Sequence, residues 1–247
     1  MTRWKAGLIH LGLSIPVVAG AALSMTLIWY PPPFFLASGG GHLILILASV
    51  DLVIGPCLTA LVYRTGKLRL KLDLALIGLI QLGALLYGSH SIFLARPAYM
   101  VFTINQFEVV TAADIPAEEQ AKARDPRFRS SPMGRFEVVA AKLPADDAER
   151  ERILFASLAG HDLAHFPQHY VPLESQGSDL IARTQPLSAL QKLNPGRESE
   201  ISVWVAKSGY AQDRVGFIPV RALKGDLTAF IALDSGQLLN FAPFQPW

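Results

Sequence analysis

Acidic residues are almost missing from the first part of the chain: residues 1–96 hold only Asp51 and Asp73, against seven Lys and Arg. Charge is scarce overall, at 17% of the 247 residues, while 51% are apolar. A water-soluble domain ordinarily carries nearer a quarter charged residues. The scarcity is local, since residues 97–247 hold eighteen acids and fifteen bases. That half has a formal charge of −3, which supplies no overall basic field for nucleic acid. Cysteine is limited to Cys57, which excludes an intrachain disulfide and every cysteine-based metal motif. No H-E-x-x-H, Gly-x-Ser-x-Gly or Walker-type glycine loop occurs, so none of the common catalytic signatures is present. The glycine-rich SGGGH at 38–42 lies in a short loop and reads as a flexible turn.

What is present is a set of long apolar runs. A membrane-crossing helix needs roughly twenty such residues. Three candidates lie at about 7–30, 43–63 and 72–94, within a membrane domain of residues 1–96. The first run stops in WYPPPFF, Trp29 to Phe35. Pro31, Pro32 and Pro33 cannot continue a helix, because each ring removes an N–H and crowds the preceding turn. Trp29, Tyr30, Phe34 and Phe35 around those prolines are the residue types that a membrane–water interface favours. The whole stretch 29–35 is therefore expected at that interface. The basic start and the small residues Ala19–Ala22 resemble a signal peptide, but the apolar run continues to Tyr30, and the expectation is a retained span.

Residues 31–42 contain no Lys or Arg, whereas 64–71 contain Arg64, Lys67, Arg69 and Lys71, and the N-terminus adds Arg3 and Lys5. Basic loops stay in the cytoplasm. Both basic segments then share the cytoplasmic side, and three crossings place residues 97–247 in the periplasm of a bacterium.

Polar residues within the apolar runs are costly and so informative. Asp51 lies near the middle of the second run, with Pro56 a turn later; the carbonyl of Leu52 loses its usual partner there and a kink is expected. Gln81 in the third run lies at a matching depth, and an Asp51–Gln81 hydrogen bond is expected. Asp51 then either ties the bundle together or helps hold a partner. Gly12, Pro16, Gly20 and Ser24 recur every four residues along one face of the first run, where another helix can approach closely. That helix belongs either to this bundle or to another protein.

After Arg96 the pattern changes to strands and short helices, an α+β arrangement with a mainly antiparallel sheet. YMVFTINQFEVV at 99–110 and RFEVVAAKL at 135–143 read as strands, and PAEEQAKAR at 116–124 as a short helix. DDAERERILFASLAG at 146–160 reads as an amphipathic helix, with Asp146 and Glu149 in capping-box positions. SDLIARTQPLSALQKL at 178–193 reads as helix interrupted by Pro186. EISVWVAKSGY and RVGFIPVRAL follow, and then DLTAFIAL and QLLNFAPF form a hairpin over Asp234-Ser235-Gly236. His161, His165 and His169 have helical spacing, but Pro167 divides them, and a solvated or capping role is expected rather than a zinc site.

The pieces RWKAGLIHLGLS at 3–14, WYPPPFF at 29–35, VDLVIGPCLT at 50–59, GKLRLKLDL at 66–74, QLGALLYG at 81–88 and RPAYMVF at 96–102 form one pattern. With FPQHYVP at 166–172, GFIPVRALKGDLTAFIALDSGQLL at 216–239 and the Pro-Trp ending, it resembles the TfpX/TfpZ type IV pilin accessory proteins. These are bacterial inner-membrane proteins related to a fimbrial assembly protein. The resemblance covers most of the chain outside about 114–160. It implies a non-enzymatic inner-membrane protein with no catalytic residues and no cofactor, whose partners are a cognate type IV pilin subunit and the lipid bilayer. The alternative is a membrane-anchored periplasmic ligand-binding sensor, which the short basic loops, leaving no room for a cytoplasmic output domain, disfavour.

Overall fold

The computed structural model describes all 247 residues, as two compact units. The first comprises residues 1–31 and 39–95, the second residues 32–38 and 96–247.

Three helices long and apolar enough to cross a membrane make up the first unit: Arg3–Ile28, Gly40–Val62 and Leu70–Leu94. The first begins where the Thr2 side chain accepts from the backbone N–H of Lys5, and it gives way to the prolines after Trp29. The second is not uniform. Over Val50–Ile54 it widens by one residue, with the N–H of Gly55 reaching the carbonyl of Val50 five residues back. Such a turn is how a helix absorbs a disrupted ladder, here ahead of Pro56. Glycines set the close approaches: a side chain at Gly7 would meet the Pro56 carbonyl and Ala60, and one at Gly88 would run into Leu47. At one end, Trp29 packs edge-on against Phe93 at 5.1 Å and the Tyr30 hydroxyl donates to the Ile92 carbonyl at 3.0 Å. At the other end, Thr65 donates to the carbonyl of Met1, which brings the two basic segments together.

The second unit is built on one mixed sheet of eight strands: β1 Pro97–Phe102, β2 Phe107–Thr111, β3 Glu137–Ala141, β4 Tyr170–Pro172, β5 Gln185–Pro186, β6 Val215–Arg221, β7 Leu227–Ala232 and β8 Leu238–Ala242. Their order is β4-β3-β1-β2-β6-β7-β8, with β5 also on β6. Pairing is antiparallel except for β1 with β3 and β2 with β6. Residues 99–110, expected as one strand, are a hairpin. The chain reverses at Thr103-Ile104-Asn105-Gln106, a turn with neither Gly nor Pro to announce it. Residues 198–206 are a helix, and the capping box at Asp146 is not made, because Glu149 is taken by Arg152 and His169. The hairpin over residues 233–237 is present, with Gly236 at a positive φ of 68°.

β1, β6 and β7 are buried on both faces. On one face, Tyr99, Val101, Val110 and Val139 meet Ile115, Phe128, Ile153 and Phe166, while farther along Phe217 and Phe230 meet Leu190, Ile201 and Val205. On the other face lie Met100, Phe102, Phe107, Ile218, Val220 and Ile231, covered by Leu173, Leu180, Phe34 and Ala37. Phe34 is 2% exposed; its ring stands edge-on to Phe136 at 4.7 Å and Phe241 at 5.1 Å. The Ala37 carbonyl accepts from the N–H of Lys224 at 2.8 Å. Residues 32–38 thus belong to the sheet unit rather than to the apolar part, and Phe34, expected at a membrane interface, is buried in that unit's core. Enclosure of a ring on this scale stabilises the unit by removing apolar surface from water.

Candidate functional site

Several polar side chains of the three long helices converge. Asp51 is 6% exposed and Thr59 4%, and both face the first and third helices. The Gln81 amide donates to an Asp51 carboxylate oxygen at 3.3 Å and lies 3.5 Å from its backbone carbonyl. Gly55 makes this possible, because a Cβ there would occupy the space of the Gln81 amide. The wide turn at Val50–Ile54 presents Asp51 at that spot. On the first helix, His10 Nδ1 pairs with the Thr59 hydroxyl.

These groups form the floor of a groove of about 450 Å³ between the first and third helices. Its walls are apolar: Leu13 and Val17 on one side, Leu82 and Leu85 on the other. A polar floor under apolar walls is what a helix-shaped, mostly apolar occupant with one hydrogen-bonding group would meet. The expected Asp51–Gln81 pair is therefore present. His10 and Thr59, absent from the sequence reading, complete it; their signal was simply polarity within an apolar run.

Gly12, Pro16, Gly20 and Ser24 lie elsewhere. All four are exposed, none lines the groove, and nothing lies within 4 Å of a Cβ built on Gly12 or Gly20. The bundle leaves this small-residue face uncovered, and its own second helix packs on Gly7 instead. Among the residues expected at a membrane interface, Trp29, Pro31, Pro33 and Phe35 are partly buried, Pro32 is exposed, and Tyr30 and Phe34 are buried.

In the sheet unit the three histidines do not converge. His165 Nδ1 pairs with Asp162 at 3.0 Å, His169 Nε2 with Glu149 at 3.1 Å, and His161 stands edge-on to His165. Arg152 links Glu149 to Glu119, tying the helix Asp147–Leu158 to the short helix Ala117–Ala121. These bonds hold Glu149 down to about 2: Arg152 does most, against some burial, and His169 and Gln168 add to it.

Glu108 on β2 went unnoticed in the sequence. It is 9% exposed, accepts from Gln106 at 2.9 Å, and lies opposite Arg221 in the β2–β6 register. Burial first, then hydrogen bonding to Asp162, pushes its carboxyl up to about 7. Burial alone would raise Asp162 as well, but its bonds to His165 and Glu108 hold it below the usual range, so Glu108 carries the proton of the pair. A carboxyl raised on folding contributes stability that is fully present below its unfolded value near 4.5 and lost as pH rises through about 7. Glu108→Gln, which keeps the size and both hydrogen bonds, is expected to stabilise the protein by roughly 1–3 kcal/mol at pH 8 and to change nothing at pH 4. Urea unfolding in detergent at the two pH values measures this; equal gains at both would show that ionisation of Glu108 is not responsible.

Residues 1–39, which include the first long helix and the Phe34 segment, match the family model described as fimbrial assembly protein FimB. The fimbrial assembly protein of serogroup I from Dichelobacter nodosus is 30% identical over 216 residues, covering 86% of this chain and 83% of that one. The serogroup E1 protein of the same organism is 29% identical over the same coverage. The protein of serogroups C1 and C2 is 36% identical over 118 residues, 47% of this chain and 89% of its own. No solved structure matches.

Proposed function

The chain belongs to the fimbrial assembly protein family, and from that premise we propose that it is a non-enzymatic accessory of pilus assembly, of the TfpX/TfpZ kind. It stabilises a cognate type IV pilin subunit in the bacterial inner membrane or assists its incorporation. Its N-terminus is cytoplasmic and residues 97–247 are periplasmic. The gathering of Arg3, Lys5 and the basic residues of 64–71 at one end of the bundle supports that orientation.

The observation that carries the reading is the groove between the first and third helices, with Asp51, Gln81, Thr59 and His10 at its floor. A pilin subunit held in a membrane presents an apolar helix, and a helper of that helix needs an apolar cleft with a hydrogen-bonding anchor, which costs much to leave unsatisfied in lipid. The uncovered face of Gly12, Pro16, Gly20 and Ser24 offers a second helix-packing surface on the first helix, beside the groove. Recognition at either place is packing and hydrogen bonding without turnover.

Photo-crosslinking in cells tests this. A crosslinker at Leu13 reads the groove, and one at Gly12, about a quarter turn around the helix, reads the small-residue face. Products with the pilin helix from Leu13 are expected. Pilin products arising only from positions in the sheet unit would remove the intramembrane part of the proposal.

A further inference from the structure

We propose that the sheet unit carries a phospholipid-binding groove beside the Phe34 segment, holding a headgroup phosphate at Lys224 and an acyl chain along its apolar wall. The groove has a volume of about 600 Å³. Pro33, Phe35, Leu36, Trp204 and Phe244 line it, and Lys224 stands at its edge. This goes beyond pilin recognition and needs no pilin.

Three observations combine. The first is place. Pro32–Ala37 lies in the chain between two helices that are long and apolar enough to cross a membrane, Arg3–Ile28 and Gly40–Val62. Only Trp29, Tyr30 and Pro31 stand in the chain between the first of those helices and this segment, and only Ser38 and Gly39 between it and the second.

The second is charge. The other charged groups of the groove, and Asn194, are engaged inside the unit. Asp226 accepts from the Trp247 indole at 2.6 Å, and Asn194 donates to the Gln245 carbonyl at 2.8 Å. Arg197 is paired with Glu200 at 2.8 Å and lies over the Phe244 ring. The Lys224 ammonium is exposed and makes no hydrogen bond or ion pair. It is a free cation at the rim of an apolar cleft, which complements a phosphate joined to a hydrocarbon chain.

The third is the surrounding surface. Leu36 is 76% exposed, the neighbouring Leu223 73% and Trp247 49%, and Lys207 lies over the Trp204 ring. Large apolar and aromatic side chains mixed with lysines are the composition of a membrane-contacting face, and are out of place facing water.

The test uses the full chain in nanodiscs, reading tryptophan fluorescence against phospholipids brominated on one acyl chain. Two variants each keep one of the four tryptophans, Trp204 or Trp29. Trp204 emission is expected to fall at least twofold in brominated phosphatidylglycerol, and Lys224→Glu is expected to remove most of that quenching. Inorganic phosphate added to uncharged nanodiscs should not alter the emission. Trp204 unquenched while Trp29 is quenched overturns the lipid groove and leaves the membrane helices standing. Trp204 quenching indifferent to Lys224→Glu and to lipid charge overturns the headgroup assignment. Both tryptophans unquenched overturns the inference together with the membrane placement it starts from.

Discussion

Phe34→Ala is expected to destabilise the sheet unit by about 3–5 kcal/mol, although Phe34 lies some sixty residues before the first strand. The ring is fully enclosed among Phe136, Phe241 and the face of β1, β2, β6 and β7 that carries Met100, Phe107, Ile218 and Ile231. Removing it opens a cavity in a region where neighbouring strands are fixed by their ladders and cannot close in. Leu36→Ala, two positions on and mostly exposed, should change stability by less than ~0.5 kcal/mol. Urea unfolding of the full chain in detergent, followed by the fluorescence of Trp204 and Trp247, distinguishes the two. Equal midpoints for Phe34→Ala and the unaltered protein would mean that the segment 32–38 is not part of the folded sheet unit. The same packing predicts that residues 96–247 expressed alone leave an apolar slot where Phe34 and Ala37 belong.

The second large effect concerns pilus assembly. Asp51→Leu removes the acceptor of Gln81 and the acid from the floor of the groove. If the floor anchors a pilin helix, one lost hydrogen bond within lipid, worth about 1–2 kcal/mol, lowers binding roughly 5–30-fold. Surface pili should fall accordingly, while the amount of the protein in the membrane stays the same. Immunoblotting of membranes beside a count of pili measures both. Loss of the protein itself would show that Asp51 only ties the bundle together. Normal piliation with normal protein would remove Asp51 from the proposal. Gln81→Leu tests the other half of the pair, since it leaves the acid without its donor, and the two variants combined should be no worse than either alone if they act through one contact.

Much of the first unit was legible because its physics is one-dimensional. Lipid admits only backbone that satisfies itself, so a run of about twenty apolar residues has essentially one solution. The same reasoning put Asp51 opposite Gln81, since depth along two antiparallel helices follows from counting. It did not find His10 and Thr59, which join through facings of the first and second helices that counting does not supply. Nor did it say which way the ladder of Gly12, Pro16, Gly20 and Ser24 turns. Gly7, outside that ladder, holds the close approach within the bundle.

The sheet unit was legible in type but less so in detail. The hairpin over Gly236 announced itself, because a turn that needs a positive φ selects glycine. The reversal at residues 103–106 did not, because its backbone suits ordinary residues. Glu108 looked like the polar member of an alternating strand; burial on both faces and an acid across from it were matters of tertiary packing.

By itself the sequence determined that three helices of membrane-crossing length precede an α+β unit, because helix length and hydropathy are properties of a contiguous stretch. Only the tertiary structure decided that Phe34 belongs to the sheet, that a polar-floored groove opens between the first and third helices, and that Glu108 is buried. Each of those depends on residues far apart in the chain, and their meeting is set by packing that no local pattern encodes.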